Sequence, residues 1–181
     1  GREQLWIEYD TQGRVNALKK PNAVAGYPEI AYGFEYFDGY TEIKDIDGLK
    51  INYRFDERRQ LTAIEKFDRQ GLLYRTDKKV WGNKHEIGFL KAKYGSDGNG
   101  KVHYYKTYDY NSKGNVIGKR IYGNLSGQSE VELRVDDNHN LLNKDKVEVS
   151  HSVLEYSKDR FNLLIRSGES FGYGTSYFYK S

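Results

Sequence analysis

DIDGLKINYRFDERRQLTAIEKFDRQGLLYR, residues 45–75, carries two copies of one seven-residue unit, Phe55–Leu61 and Phe67–Leu73, set twelve residues apart. Each copy starts with an aromatic residue followed by Asp and passes through two turn residues to a position that favours Gly. After one more residue it returns to an aliphatic. A β-hairpin closed by a type I turn and a left-handed residue needs this pattern. The Asp carboxylate bonds backbone N–H groups ahead of it, and Gly adopts φ > 0 without steric penalty. Across such a turn the first and seventh residues oppose each other, so ring and aliphatic form a cross-strand pair that sets the register, at about 0.2–1 kcal/mol over Ala–Ala.

The unit recurs at Tyr9-Asp10 to Gly13 and Val15, at Tyr110-Asn111 to Gly114 and Val116, and at Val135-Asp136 to Leu141 with His139 in the Gly place. Arg59 and His139 depart from Gly at about 1 kcal/mol each. Phe37-Asp38 to Ile43 is a weaker copy, because Thr41 would fall on the left-handed position and β-branched residues resist it. The turn residues expected to carry the architecture are Asp10, Gly13, Asp56, Asp68, Gly71, Asn111 and Gly114, with facing pairs Tyr9/Val15, Phe55/Leu61 and Phe67/Leu73.

The runs YDTQGRV, DIDGLKINYRFDERRQLTAIEKFDRQGLLYR and YNSKGNV resemble the rearrangement-hotspot (RHS) or YD-repeat family. The resemblance is densest over 45–75 and covers about half of the chain; residues after Ser126 match poorly. It implies long antiparallel strands wound into a hollow β-shell that encloses a toxin or forms a surface scaffold. The partners it implies are other repeats of the same parent chain or an enclosed toxin polypeptide, and the place it implies is secreted or at the cell surface.

Length and composition agree with such a sheet. A 181-residue chain is one domain by length, 1–181, with the repeat clearest over 4–122 and less certain over 127–181. It is long enough to bury about 70% of its unfolded surface. Mean hydropathy is −0.87 and apolar residues make up 37%, yet 17 Tyr and 8 Phe supply amphipathic rings suited to a half-buried pleated surface. The fold class expected is all-β: an antiparallel β-meander of tandem hairpins, a strip of a larger shell. Alternation from Leu49 puts Leu49, Ile51, Tyr53, Phe55, Leu61, Ala63, Phe67 and Leu73 on one buried face. Residues 58–70 also carry a helical spacing at Leu61, Ile64 and Phe67, which the turn chemistry on both sides overrides. Further strands are expected over Val131–Val135, Val147–Tyr156, Phe161–Arg166 and Tyr173–Tyr179, and Asp47-Gly48 signals a two-residue hairpin. A chain that opens on Gly1 and lacks Met is expected to be an internal piece of something longer, with open strand edges covered by neighbouring repeats.

No catalytic pattern stands out. The four His, at 85, 103, 139 and 151, are not spaced as a pair on one strand face with a carboxylate, and no G-x-S-x-G, P-loop, H-E-x-x-H or G-x-G-x-x-G occurs. The expectation is a non-enzymatic chain with no cofactor, catalytic residue or metal site. The weaker enzyme reading is a hydrolase after Ser126, with His139 or His151 converging on an acid and a nucleophile. Asp97-Gly98-Asn99-Gly100 echoes a calcium loop but has Gly95 and Lys106 where its first and last ligands belong, so it reads as a turn, as does Asp45-Ile46-Asp47-Gly48. The sequon Asn124-Leu125-Ser126 reads as a chance match. With 29 basic and 26 acidic residues, net +3, the charge forms no stripe for nucleic acid, and no apolar run spans a membrane. The absence of Cys removes any disulfide framework. The alternative from another class is a glycan-binding module whose Tyr104, Tyr105 and Tyr108 stack on sugars; the plainer reading makes them cross-strand packing residues.

Overall fold

The computed structural model of the protein describes residues 4–22, 27–159, 162–169 and 174–176. Phe161, Tyr173 and 177–179, which the expected C-terminal strands include, lie outside the described residues. The chain is an all-β antiparallel meander. It gathers into two compact units, 1–77 and 78–181. The first holds β1 (Trp6–Tyr9), β2 (Val15–Pro21), β3 (Pro28–Phe37), β4 (Tyr40–Asp45), β5 (Lys50–Phe55) and β6 (Leu61–Phe67), each paired antiparallel with the next. β7 (Leu73–Trp81) begins in the first unit and ends in the second. The second unit continues with β8 (Leu90–Asp97), β9 (Val102–Tyr110), β10 (Val116–Gly123), β11 (Glu148–Tyr156), β12 (Leu164–Glu169) and β13 (Gly174–Ser176), again paired in chain order. Residues 61–67 are strand, so the helical spacing within 58–70 yields to the turns that bracket it.

One turn recurs at seven reversals of the chain, six of them hairpins between paired strands. At Asp10 the N–H donates to the Arg14 carbonyl at 2.8 Å, and the Gly13 N–H donates back to the Asp10 carbonyl at 3.0 Å. Asp10 Oδ1 takes the Gln12 and Arg14 N–H groups at 2.8 and 2.9 Å. The same backbone ring recurs at Asp45, Asp56, Asp68, Asp97, Asn111 and Asp136. The fourth residue of each turn is left-handed: φ is 76° at Gly13, 85° at Gly48, 60° at Arg59, 80° at Gly71, 86° at Gly100, 83° at Gly114 and 65° at His139. Two expected turns differ. The Asp47-Gly48 signal belongs to a longer turn led by Asp45, and at Asp38 the chain reverses more tightly, with Phe37 opposite Tyr40 and Gly39 rather than Thr41 in the left-handed region.

The buried face does not follow simple alternation. Glu8 pairs with Ala17 and Tyr9 with Val15, so Asn16 has no residue opposite it; Thr62, His103 and Ile117 are skipped likewise in their hairpins. Each is the residue just after the seventh position of the unit. A bulge there adds one residue and resets which side the strand presents. Ile51, Tyr53, Phe55 and Leu61 therefore share a face of the first unit, but Ala63 and Phe67 cross to the other side and Ile64 takes their place. That apolar face also carries Leu18, Tyr32, Phe34, Tyr36 and Ile43 and stays half-exposed; Phe55 and Leu73, expected inside, are exposed.

The opposite face of the first unit is a charge ladder. Glu42 lies 2.8 Å from Lys44 and 3.4 Å from Lys50, and Arg54 lies 2.6 Å from Glu65. Burial alone would raise the Glu42 pKa, but the two lysines outweigh it and hold the carboxyl below its usual value. The small side chains of Ala17 and Ala63 are buried among these long ones.

The second unit has a core. Ala92, Tyr94, Tyr105, Leu133 and Val147 are its buried members, with Val102, Tyr122, Val135 and Leu141 packed on them. Residues 131–135 form no strand; Leu133 meets the sheet through an isolated bridge to Val102, and Val135 bridges to Leu141 within the segment itself. This irregular segment covers the face on which Tyr94, Tyr105 and Tyr122 lie side by side.

Candidate functional site

The recurring turn is the first candidate, and its chemistry is fully engaged in structure. Besides Asp10, the Oδ1 atoms of Asp56, Asp68 and Asn111 each accept two backbone N–H groups, from Arg58 and Gln60, Gln70 and Leu72, and Lys113 and Asn115, at 2.8–3.0 Å. Gly13, Gly71 and Gly114 supply the left-handed backbone. The pairs Tyr9/Val15, Phe55/Leu61 and Tyr110/Val116 stand directly opposite. The Arg14 N–H and guanidinium hold the Asp10 carboxyl below its ordinary value, and the Asn140 N–H does the same for Asp136. Asp97, in the run that echoes a calcium loop, directs Oδ1 at the N–H groups of Asn99 and Lys101, both at 3.0 Å. It is a turn like the others.

Substituting Gly71 with Val tests this assignment. No atom lies within 4 Å of the new Cβ, so the whole effect is backbone strain at φ 80°. A β-branched residue there is expected to lower stability by more than about 1 kcal/mol. Arg59→Gly, at the same position of the neighbouring turn, is expected to raise it by a few tenths to about 1 kcal/mol. Urea denaturation midpoints that do not move in these opposite directions would remove the turn assignment.

The tyrosines divide by face. Tyr105 is not a ligand-stacking residue: it is buried, its hydroxyl donates to the His139 carbonyl at 2.8 Å, and its ring stacks on Tyr94 at 5.7 Å. Burial, reinforced by Tyr94, pushes its phenol pKa up. Tyr94 Oη lies 2.8 Å from His139 Nδ1. Tyr104 and Tyr108 point to the other side of β9, with Lys106 between them and its Nζ 5.4 Å from the Tyr104 ring centre. Elsewhere tyrosine hydroxyls fasten strands to backbone: Tyr36 to the Val15 carbonyl at 2.8 Å and Tyr110 to the Leu90 carbonyl at 2.9 Å.

The histidines do not converge. His139 is a left-handed turn residue, His151 sits opposite Arg120 on β11, and His103 is a bulge residue 3.3 Å from Asp97. In the sequon, Ser126 gives its hydroxyl and N–H to Glu148, and Asn124 Oδ1 accepts from Ser129. A feature without a sequence signal is Lys93, Lys106 and Lys119, which the register brings together on the Tyr104 side of the second unit.

No protein-family model and no curated protein matches the sequence. Among solved structures, the chain resembles "TcdB2-TccC3-TEV" at 17% identity with a TM-score of 0.60, covering 95% of this chain. "TcdB2-TccC3 without hypervariable C-terminal region" gives 16% identity and the same TM-score and coverage. At these identities the likeness is one of fold. The chain spans 8% of the length of those chains.

Proposed function

We propose that this chain is a non-enzymatic structural segment of an RHS/YD-repeat toxin or surface protein, forming part of a β-shell that encloses or displays another polypeptide. One observation carries the reading: a single turn, set by Asp or Asn and a left-handed residue, recurs at seven reversals of the chain. Repetition of that kind lays strands side by side and makes wall. The likeness in fold to chains about twelve times longer supports it, since a segment of wall has neighbours. So does the surface, on which large apolar side chains such as Ile7, Tyr9, Tyr32 and Phe55 stand exposed. On this reading its partners are further repeats of the parent chain or an enclosed polypeptide, and the protein works outside the cell.

A bare apolar wall is expected to show itself in the 181-residue chain: the native protein should bind the dye ANS and self-associate in sedimentation velocity. Ile43→Lys with Ile51→Lys, a facing pair on β4 and β5, should reduce both while leaving the β-sheet circular dichroism in place. A strict monomer that binds no dye would overturn the wall reading.

A further inference from the structure

We propose that the face of β8–β10 opposite the Tyr94–Tyr105–Tyr122 cluster binds an anionic polysaccharide through Lys93, Lys106 and Lys119, with Tyr104 and Tyr108 as its stacking surfaces. This is a binding role separate from the wall and does not depend on it. Lys93 stands directly opposite Lys106, and Lys119 directly opposite Tyr108, one step along from Lys106 on the next strand. Like charges facing each other across a sheet are destabilising. No ion pair neutralises any of the three among the described residues, whereas Lys19 meets Glu8, Lys44 and Lys50 meet Glu42, Lys91 meets Glu86 and Lys101 meets Glu132. The acids on this face are committed or distant: Glu148 holds Leu125 and Ser126, and Glu169 lies beyond Ser152, two strands from Lys119. Burial, with Lys93 and Lys119 adding repulsion, holds the Lys106 ammonium below its ordinary pKa. A bound anion relieves all three charges at once.

The rest of the face selects the kind of anion. Tyr104, Lys106 and Tyr108 alternate along β9, and the residues opposite Tyr104 are Gly95 and Gly123. Tyrosine joins an apolar ring to a polar tip, the combination that sugar C–H faces and hydroxyls fit. Across β10 the rows continue into Ser150, opposite Ile121, and Ser152, opposite Lys119, adding neutral hydroxyl partners. Three charges on adjacent strands, about 5 Å apart between strands, make a short row. A duplex backbone needs a longer basic stripe.

Immobilised heparin is the probe, with neutral dextran and duplex DNA as comparison matrices, at low salt and with a salt gradient. The native chain is expected to be retained on heparin, to pass through dextran, and to leave DNA at lower salt than heparin. K93Q/K106Q/K119Q should bind heparin about tenfold more weakly, three surface charge contacts being removed. The control K84Q/K144Q/K158Q removes the same charge from exposed positions and should elute close to the native chain. Y108A, which changes no charge, should also elute earlier. If the face triple loses its β-sheet spectrum, K106Q alone takes its place and should show a smaller loss in the same direction. Equal shifts in the two triple variants, unchanged retention of K106Q, or DNA retention equal to heparin would each overturn the proposal.

Discussion

Replacing Tyr105 with Ala is expected to destabilise the second unit by about 3–5 kcal/mol, the range for truncating a large buried aromatic side chain. The ring is 5% exposed and lies between Tyr94, stacked at 5.7 Å, and Tyr122, edge-on at 6.4 Å. Removing it opens a cavity in the cluster of side chains that packs the irregular segment 131–147 against the sheet. Its hydroxyl adds a second function, because the His139 carbonyl that it meets belongs to a left-handed turn residue. Tyr105→Phe keeps the ring and loses that bond, so it should cost about 1 kcal/mol. Hydrogen exchange separates the two effects: in Tyr105→Ala the amides of 131–147 should lose protection well before those of β9 and β10. A midpoint for Tyr105→Ala within 1 kcal/mol of the native chain, or loss of protection spread evenly over the unit, would show that the cluster does not hold the segment.

The turns were legible because their chemistry is local. An Asp that bonds the N–H groups two and four residues on, and a Gly at the left-handed position, declare themselves within five residues at Asp10, Asp68 and Asn111. Even Arg59 and His139, poor residues for φ > 0, were placed by the pattern around them. The faces were less legible. Thr62 looks like one more residue of an alternating strand, and its hydroxyl bond to the Arg54 carbonyl at 3.2 Å is visible only in the paired state. One unpaired residue at that point sends Ala63 and Phe67 to the charged side. The same limit hid the lysine row: Lys93, Lys106 and Lys119 lie thirteen residues apart in sequence, and only the register of β8, β9 and β10 makes them neighbours. Tyr105 was grouped with Tyr104 and Tyr108 by composition, although adjacent residues of a strand face opposite ways. What covers it, the segment carrying Leu133 and Val147, approaches from far along the chain.

Gly82→Ala is expected to be the most damaging single-methyl change, at about 1–3 kcal/mol from overpacking. The residue lies where sequence patterning was least informative, between β7 and β8, and its backbone angle gives no warning, since it is not among the left-handed glycines. The constraint is contact. The Gly82 N–H donates to the Phe89 carbonyl at 2.8 Å, and a short 3-10 turn over Lys84–Glu86 folds the chain back onto it. A Cβ on Gly82 would run into the backbone carbonyl and Cβ of Glu86. Backbone on both sides cannot swing away as a side chain can, so the turn must open or the β7–β8 connection must shift. Gly118 makes the comparison. Its Cβ would meet the end of the Asp109 side chain at 2.7 Å, and that carboxylate can rotate, although doing so weakens its 2.6 Å bond to Arg120. Gly118→Ala should therefore cost less than Gly82→Ala, and the deficit should shrink in an Asp109→Ala background while that of Gly82→Ala stays unchanged. Equal costs for the two glycines, or relief of both by Asp109→Ala, would mean that backbone contact at Gly82 is not what forbids a side chain there.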